Sequence, residues 1–288
     1  MSPLFRSVWI AFRRSGGLPF LLVLLAGVGL LFFAALRAEG NLVVNGRPVA
    51  LEDGTLVDFS LGFGLRAVSF VVVLFLLFQG TGLVLRDGER GSAVFDLTAP
   101  VSRGTYLAAR GIGLLSILVV IWAVAIAGFE AALLARFGFV RPALASGALV
   151  FLLAHVLFAA MLVLFRLYLG AGWGAMAGVL VLVASGVLSF DLVESYLFDV
   201  PVPREGGAWW LPFLMPYLQG EPVGLAAALA RGASRYGPPI GNVLSVGLDV
   251  ALGKPVFPRF DAASLPVAAV WTALFAGGAH FIFRRRDH

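Results

Sequence analysis

Three histidines, one lysine behind a glycine and a few acids are the residues of this 288-residue sequence whose types could do chemistry. Two histidines at matched depth on facing helices would hold a haem. His155 stands midway along an apolar run, however, whereas His280 stands four residues before Arg284 and His288 closes the sequence, so their depths do not match. A lone histidine inside an apolar helix predicts a hydrogen bond to a neighbouring helix instead. The string Gly247 to Pro255, GLDVALGKP, approaches a phosphate-binding loop. It sets five residues rather than four between its glycines and places Pro255 where Ser or Thr would hold magnesium, so no nucleotide site is expected in this chain. The absence of cysteine excludes disulfides, thiolate metal sites and cysteine nucleophiles. No HExxH or other metal-ligand spacing occurs, and no Ser or Asp is placed by sequence as a partner for His155. The expectation is a chain that is not an enzyme and carries no cofactor or metal. Glu130, Asp191 and Glu194 fall near the ends of apolar runs, where they reach water. The near absence of ionisable groups from the centres of the runs disfavours an ion-coupled carrier, whose sites lie near the bilayer midplane.

The elements that must position these residues are set by composition. Hydrophobic residues make up 60% of the chain and charged residues 13%, against about 45–50% and 25% in soluble domains. An all-α integral membrane protein follows, read as a single transmembrane domain over residues 1–288. With about 20 apolar residues per spanning helix, six spans are expected at about 18–36, 67–85, 112–134, 144–165, 173–190 and 265–283. The first apolar run is longer than the 7–15 residues of a signal-peptide core, so it reads as a retained span. Ahead of it Leu4, Phe5, Val8, Trp9 and Phe12 share a stripe with Arg6, Arg13 and Arg14 off it, the pattern of an N-terminal interfacial helix. Alternation around Leu42 to Leu51, with Asn45 and Gly46 at its centre, predicts a small hairpin. The few residues between the fourth and fifth runs predict a tight antiparallel helix pair, and Gly170, Gly174 and Gly178 are spaced for close helix contact, within the chain or between copies. The long outer region, 191–264, holds two short amphipathic stretches, Val223 to Arg235 and Ile240 to Leu252, broken by Gly237, Pro238 and Pro239. Outer aromatics Trp209, Trp210, Phe213 and Tyr217 suit a membrane-interface belt.

Orientation follows from the basic residues. With both termini cytoplasmic, the inner segments hold eleven of the 21 bases in about 54 residues, a density about twice that outside. The 21 bases against 16 acids include no uninterrupted basic run longer than Arg284, Arg285 and Arg286, so a nucleic-acid partner is not expected. The segment 86–111 becomes cytoplasmic, between spans two and three.

That segment is the most specific in the chain: RDGERGSAVFDLTAPVSRGTYLAARGIG, from Arg86 to Gly113. After Asp87, Glu89 and Gly91, a turn or two of helix carries Val94, Phe95 and Leu97. Pro100 stops it, and Ser102 caps a new helix through Arg103, Tyr106 and Arg110. A short helix with exposed apolar knobs and flanking charges suits another protein's groove. Here the sequence resembles the permease subunits of ABC (ATP-binding cassette) transporters of the second exporter class, related to copper-enzyme maturation and gliding-motility permeases. In that family Glu-Arg-Gly, a hydrophobic helix and Pro-x-Ser-Arg lie between spans two and three and couple to the ATPase. Glu89, Arg90, Gly91, Phe95, Leu97, Pro100, Ser102 and Arg103 match by position, while Arg110 stands where Lys is common. The resemblance implies a permease in the inner, cytoplasmic membrane. Its partners would be a separate ATPase that holds ATP and Mg, a second copy or homologous permease and, on the outside, a further protein. An alternative from a different class is a non-transporting structural or assembly subunit of a larger membrane complex.

Overall fold

The computed structural model describes residues 3–14, 17–37, 41–44, 47–50, 53–89, 102–187, 237–253 and 261–285. Two helices open the chain, α1 (Pro3–Arg14) and α2 (Gly17–Arg37), bent by 74° about the residues between them. Strands β1 (Asn41–Val44) and β2 (Arg47–Ala50) pair antiparallel with Val44 opposite Arg47. Two residues, 45 and 46, therefore connect the strands, as the Asn-Gly dipeptide predicts. Then come α3 (Asp53–Phe75), a π-helical turn (Leu76–Gly80) and α4 (Thr81–Glu89), which run on as one rod. The second half of the chain contributes α5 (Arg103–Phe137), α6 (Ala143–Leu169), α7 (Ala171–Val187), α8 (Ile240–Ala251) and α9 (Asp261–Arg285). The stretch expected as a helix over 223–235 and the outer aromatics lie outside the described residues.

Four described helices are long and apolar enough to cross a membrane: Leu56–Leu85, Gly104–Phe137, Ala143–Leu169 and Ser264–Arg285. The bent pair α1 and α2, taken as one span, makes a fifth. These are the helices of a multi-pass membrane protein. The span expected at 173–190 corresponds to α7, described over 17 residues, at the lower end of the roughly 17–25 residues that cross a bilayer; 188–190 lie outside the described residues. The spans also begin and end beyond the apolar runs. Leu56–Leu85 starts eleven residues ahead of the expected 67, because Leu56, Val57, Leu61 and Leu65 continue the buried stripe through the polar positions Asp58 and Ser60.

The core centres on α6, whose Phe151, Leu157, Phe158 and Leu162 are fully buried and which packs against α7, α8 and α9. Lipid tails are as apolar as these side chains, so the helices associate through close packing rather than through a hydrophobic gain. Glycines supply the closeness. A Cβ at Gly174 would meet the backbone of Phe165 and Arg166, and one at Gly178 would strike Leu162. The small-residue spacing of α7 thus serves contact within the chain. Gly170, at φ 85°, alone joins α6 to α7 and makes the expected tight pair. Gly147 of α6 likewise faces the Gly247 carbonyl and Ala251 of α8. The short helix α8 is therefore buried against the N-terminal half of α6. Its first turn is fastened by Ser185 of α7, whose hydroxyl accepts from Gly241 N–H at 3.0 Å and donates to the Pro238 carbonyl at 3.1 Å.

The N-terminal amphipathic helix is present as expected, with its stripe turned inward. Val8 and Phe12 are buried. Val8 fills the space left by Gly113 of α5, Trp9 Nε1–H donates to Ser116 Oγ at 3.0 Å, and Phe12 meets Phe75 edge-on at 5.7 Å.

Candidate functional site

The candidate site is the end of the bundle where α4 finishes and α5 begins, on either side of residues 90–101. Within the rod from α3 to α4, the π-helical turn leaves carbonyls out of the ordinary i to i−4 ladder. Thr81 Oγ1 donates to the Leu76 carbonyl at 3.3 Å, and Arg166 of α6 sends Nη2 to the Leu77 carbonyl at 3.2 Å. Six residues further along the rod Arg110 of α5 donates from Nη1 to the Leu83 carbonyl at 2.8 Å, with its side chain buried. The Arg110 guanidinium lies 4.9 Å over the Tyr106 ring, which stacks on Phe283 of α9 at 6.1 Å. Hydrogen bonds from a charged donor contribute about 1.5–3 kcal/mol each. Two arginines from two helices thus hold one rod at the level of the π turn and just beyond it.

The far side is fixed as well. Ser102 adopts extended angles and accepts the Thr105 N–H at 3.2 Å, capping α5 as its sequence position predicts. Of the eight expected interface residues, Glu89 closes α4, Ser102 caps α5 and Arg103 opens it. Arg90, Gly91, Phe95, Leu97 and Pro100 lie outside the described residues.

Arg110 lies in the helix that Ser102 caps, as the sequence predicts, whereas Arg166, expected in the connection after the fourth span, is still within α6. Each sits inside a helix and turns back onto a carbonyl of the neighbouring rod, the long side chain carrying its charge to a polar partner. The available signal was position: an Arg within two residues of each apolar run, at the same end of the bundle as a Gly80-Thr81 break in the second run.

At mid-depth His155 is buried as expected, and Ser69 of α3 is the partner that sequence left unidentified. Nδ1 of His155 lies 2.6 Å from the Phe151 carbonyl, and Nε2 lies 3.1 Å from Ser69 Oγ. Nε2 also lies 3.4 Å from the Ser69 carbonyl; the Phe151 contact is much the shorter, so the neutral ring is assigned its proton at Nδ1, and Nε2 then accepts from the Ser69 hydroxyl. Trp122 of α5 lies beside the ring, 5.7 Å between centroids. The Ser69 hydroxyl spends its proton on the histidine, and both side chains are sealed in packing, so the pair ties α3 to α6. At the opposite end from the arginine clamp, Arg141 Nη1 meets Asp58 Oδ1 at 2.6 Å and its backbone N–H donates to Glu130 Oε2 at 2.8 Å. Asp191 and Glu194 lie outside the described residues. Among the described residues no three His, Asp or Glu side chains converge as a metal site.

Comparison with family profiles, with curated proteins and with solved structures finds no match to this chain.

Proposed function

We propose that the chain is the transmembrane permease subunit of an ATP-driven ABC exporter, with six passes, both termini cytoplasmic and the 90–101 connection docked on a separate ATPase. The observation that carries the reading is the pinning of both helix ends that flank this connection. Arg110 holds α4 at Leu83, and Ser102 caps α5. A force applied to residues 90–101 then reaches α3, α5 and α6 together instead of being lost in a slack loop. The motif resemblance supplies the partner. The ATPase would hold ATP and Mg, and its closure would push the connection. Phe95 and Leu97 are the docking knobs, Glu89, Arg90 and Arg103 the polar rim, and Gly91 and Pro100 the bends that aim the knobs. Arg110 and Arg166 transmit the push, and a second permease copy or homologue completes the pathway. No chemical step falls to this chain.

Affinity purification in mild detergent of the tagged chain, expressed with its neighbouring genes, tests this. A co-purifying ATPase that is lost in the Phe95→Asp, Leu97→Asp variant is the expected result. Recovery of the wild-type chain alone, or unchanged ATPase coupling in the variant, overturns the reading.

A further inference from the structure

Between α5, α6 and α9 lies a cavity of about 450 Å³, within the roughly 300–1,000 Å³ of sites that take small ligands. Its floor is Leu114, Leu118 and Ala159, its rim Ile112, Leu115 and Ala276, and its end His280. Ile112, Leu115 and His280 are exposed, so it opens sideways, out of the bundle. Its lining is apolar apart from Thr272, whose hydroxyl already donates to the Ala268 carbonyl, and His280.

Helix α9 gives the depth. Its apolar run ends at Arg284 and Arg285, where basic side chains mark the membrane surface. His280 lies one turn before Arg284, on the same face. From His280 the cavity runs back to Thr272, about 12 Å along the helix axis and within the roughly 15 Å of one leaflet's hydrocarbon. Gly104 leaves room for the His280 imidazole at this end, and the exposed Arg285 guanidinium lies 4.1 Å over the Phe281 ring.

We propose that this cavity is a binding site for one acyl chain of an anionic phospholipid, with the headgroup held at His280 and Arg284. A cavity open to the bilayer, one leaflet deep and without an unpaired polar group along its floor suits a hydrocarbon chain. Exposed basic side chains at its surface end select a negative headgroup. The site requires only that the chain is in a membrane, and it stands or falls independently of the permease reading.

The full chain, reconstituted in phosphatidylethanolamine vesicles carrying a trace of diazirine-acyl phosphatidylglycerol or phosphatidylcholine, is irradiated and the labelled peptides are mapped. Labelling of residues 112–118 and 272–280 is expected to exceed that of the exposed Leu180 and Val183 on α7, and to be stronger with phosphatidylglycerol. Ala276→Phe fills the cavity and should bring labelling down to the α7 level. Arg284→Gln leaves the cavity intact and should cut the preference for phosphatidylglycerol about five-fold. Equal labelling of both surfaces, or a headgroup preference unmoved by Arg284→Gln, overturns the site whether or not Ala276→Phe folds. A photo-reactive residue at Ala276 that captures a second copy, or another segment of the same chain, instead of lipid also overturns it.

Discussion

The hydrogen bond between Ser69 and His155 joins two spans at a depth where no water competes, and its worth can be measured. Ser69→Ala deletes one oxygen. His155→Phe keeps a ring of similar size beside Trp122 and Phe151 but removes both ring nitrogens. The double variant closes a thermodynamic cycle in which packing changes cancel. Interhelical hydrogen bonds inside membrane proteins average about 0.6 kcal/mol and reach about 1.7 kcal/mol. The 3.1 Å separation of Nε2 and Oγ is an ordinary length, and the Phe151 carbonyl at 2.6 Å fixes the ring in the tautomer that accepts. A coupling of about 0.6–1.7 kcal/mol is therefore expected, in unfolding titrations that raise sodium dodecyl sulfate in mixed micelles. His155→Phe alone should cost more than Ser69→Ala alone, because it also breaks the contact with Phe151. A coupling below about 0.2 kcal/mol, outside that expected range, would refute the reasoning and leave packing as the sole tie between α3 and α6 at this level.

Other expected outcomes concern helix contacts. Gly147→Val pushes against the Gly247 carbonyl and Ala251, so α8 should lift from α6. The cost is about 1–3 kcal/mol, and a maleimide should react faster with a single cysteine at the buried Val243, a clean reporter in a chain without cysteine. Gly174→Leu meets the backbone of α6 and should separate α7 from it, lowering the midpoint of unfolding by at least as much. Asp58→Asn removes the ion pair to Arg141, which is partly solvated; the loss should be only about 0.2–1 kcal/mol and should shrink in high salt.

The sequence made the membrane class, the tight α6–α7 pair, the Asn-Gly hairpin and the Ser102 cap legible, because each rests on a local rule: apolar length, a single glycine at positive φ, a two-residue turn, a hydroxyl accepting from the third residue on. What it did not show depends on distance in sequence. Ser69 and His155 are 86 residues apart, and nothing in the run VSFVVV tells which helix the serine faces. Arg110 and Arg166 looked like boundary charges because a hydropathy window stops at any arginine, even one whose guanidinium turns back to a carbonyl in the next helix.

The π-helical turn at Leu76–Gly80 also fixes the azimuth at which the rod delivers its end. One residue more or fewer in a helix turns everything beyond it by about 100° and shifts it by about 1.5 Å. Deleting a single residue such as Phe78 would restore an unbroken α-helix and swing Thr81–Glu89 through about that angle. Leu83 would then point its carbonyl away from Arg110. The extra residue acts as a phase setting between two stretches of helix: the upstream stretch answers to the buried stripe of α3, and the downstream stretch to the side from which Arg110 reaches Leu83.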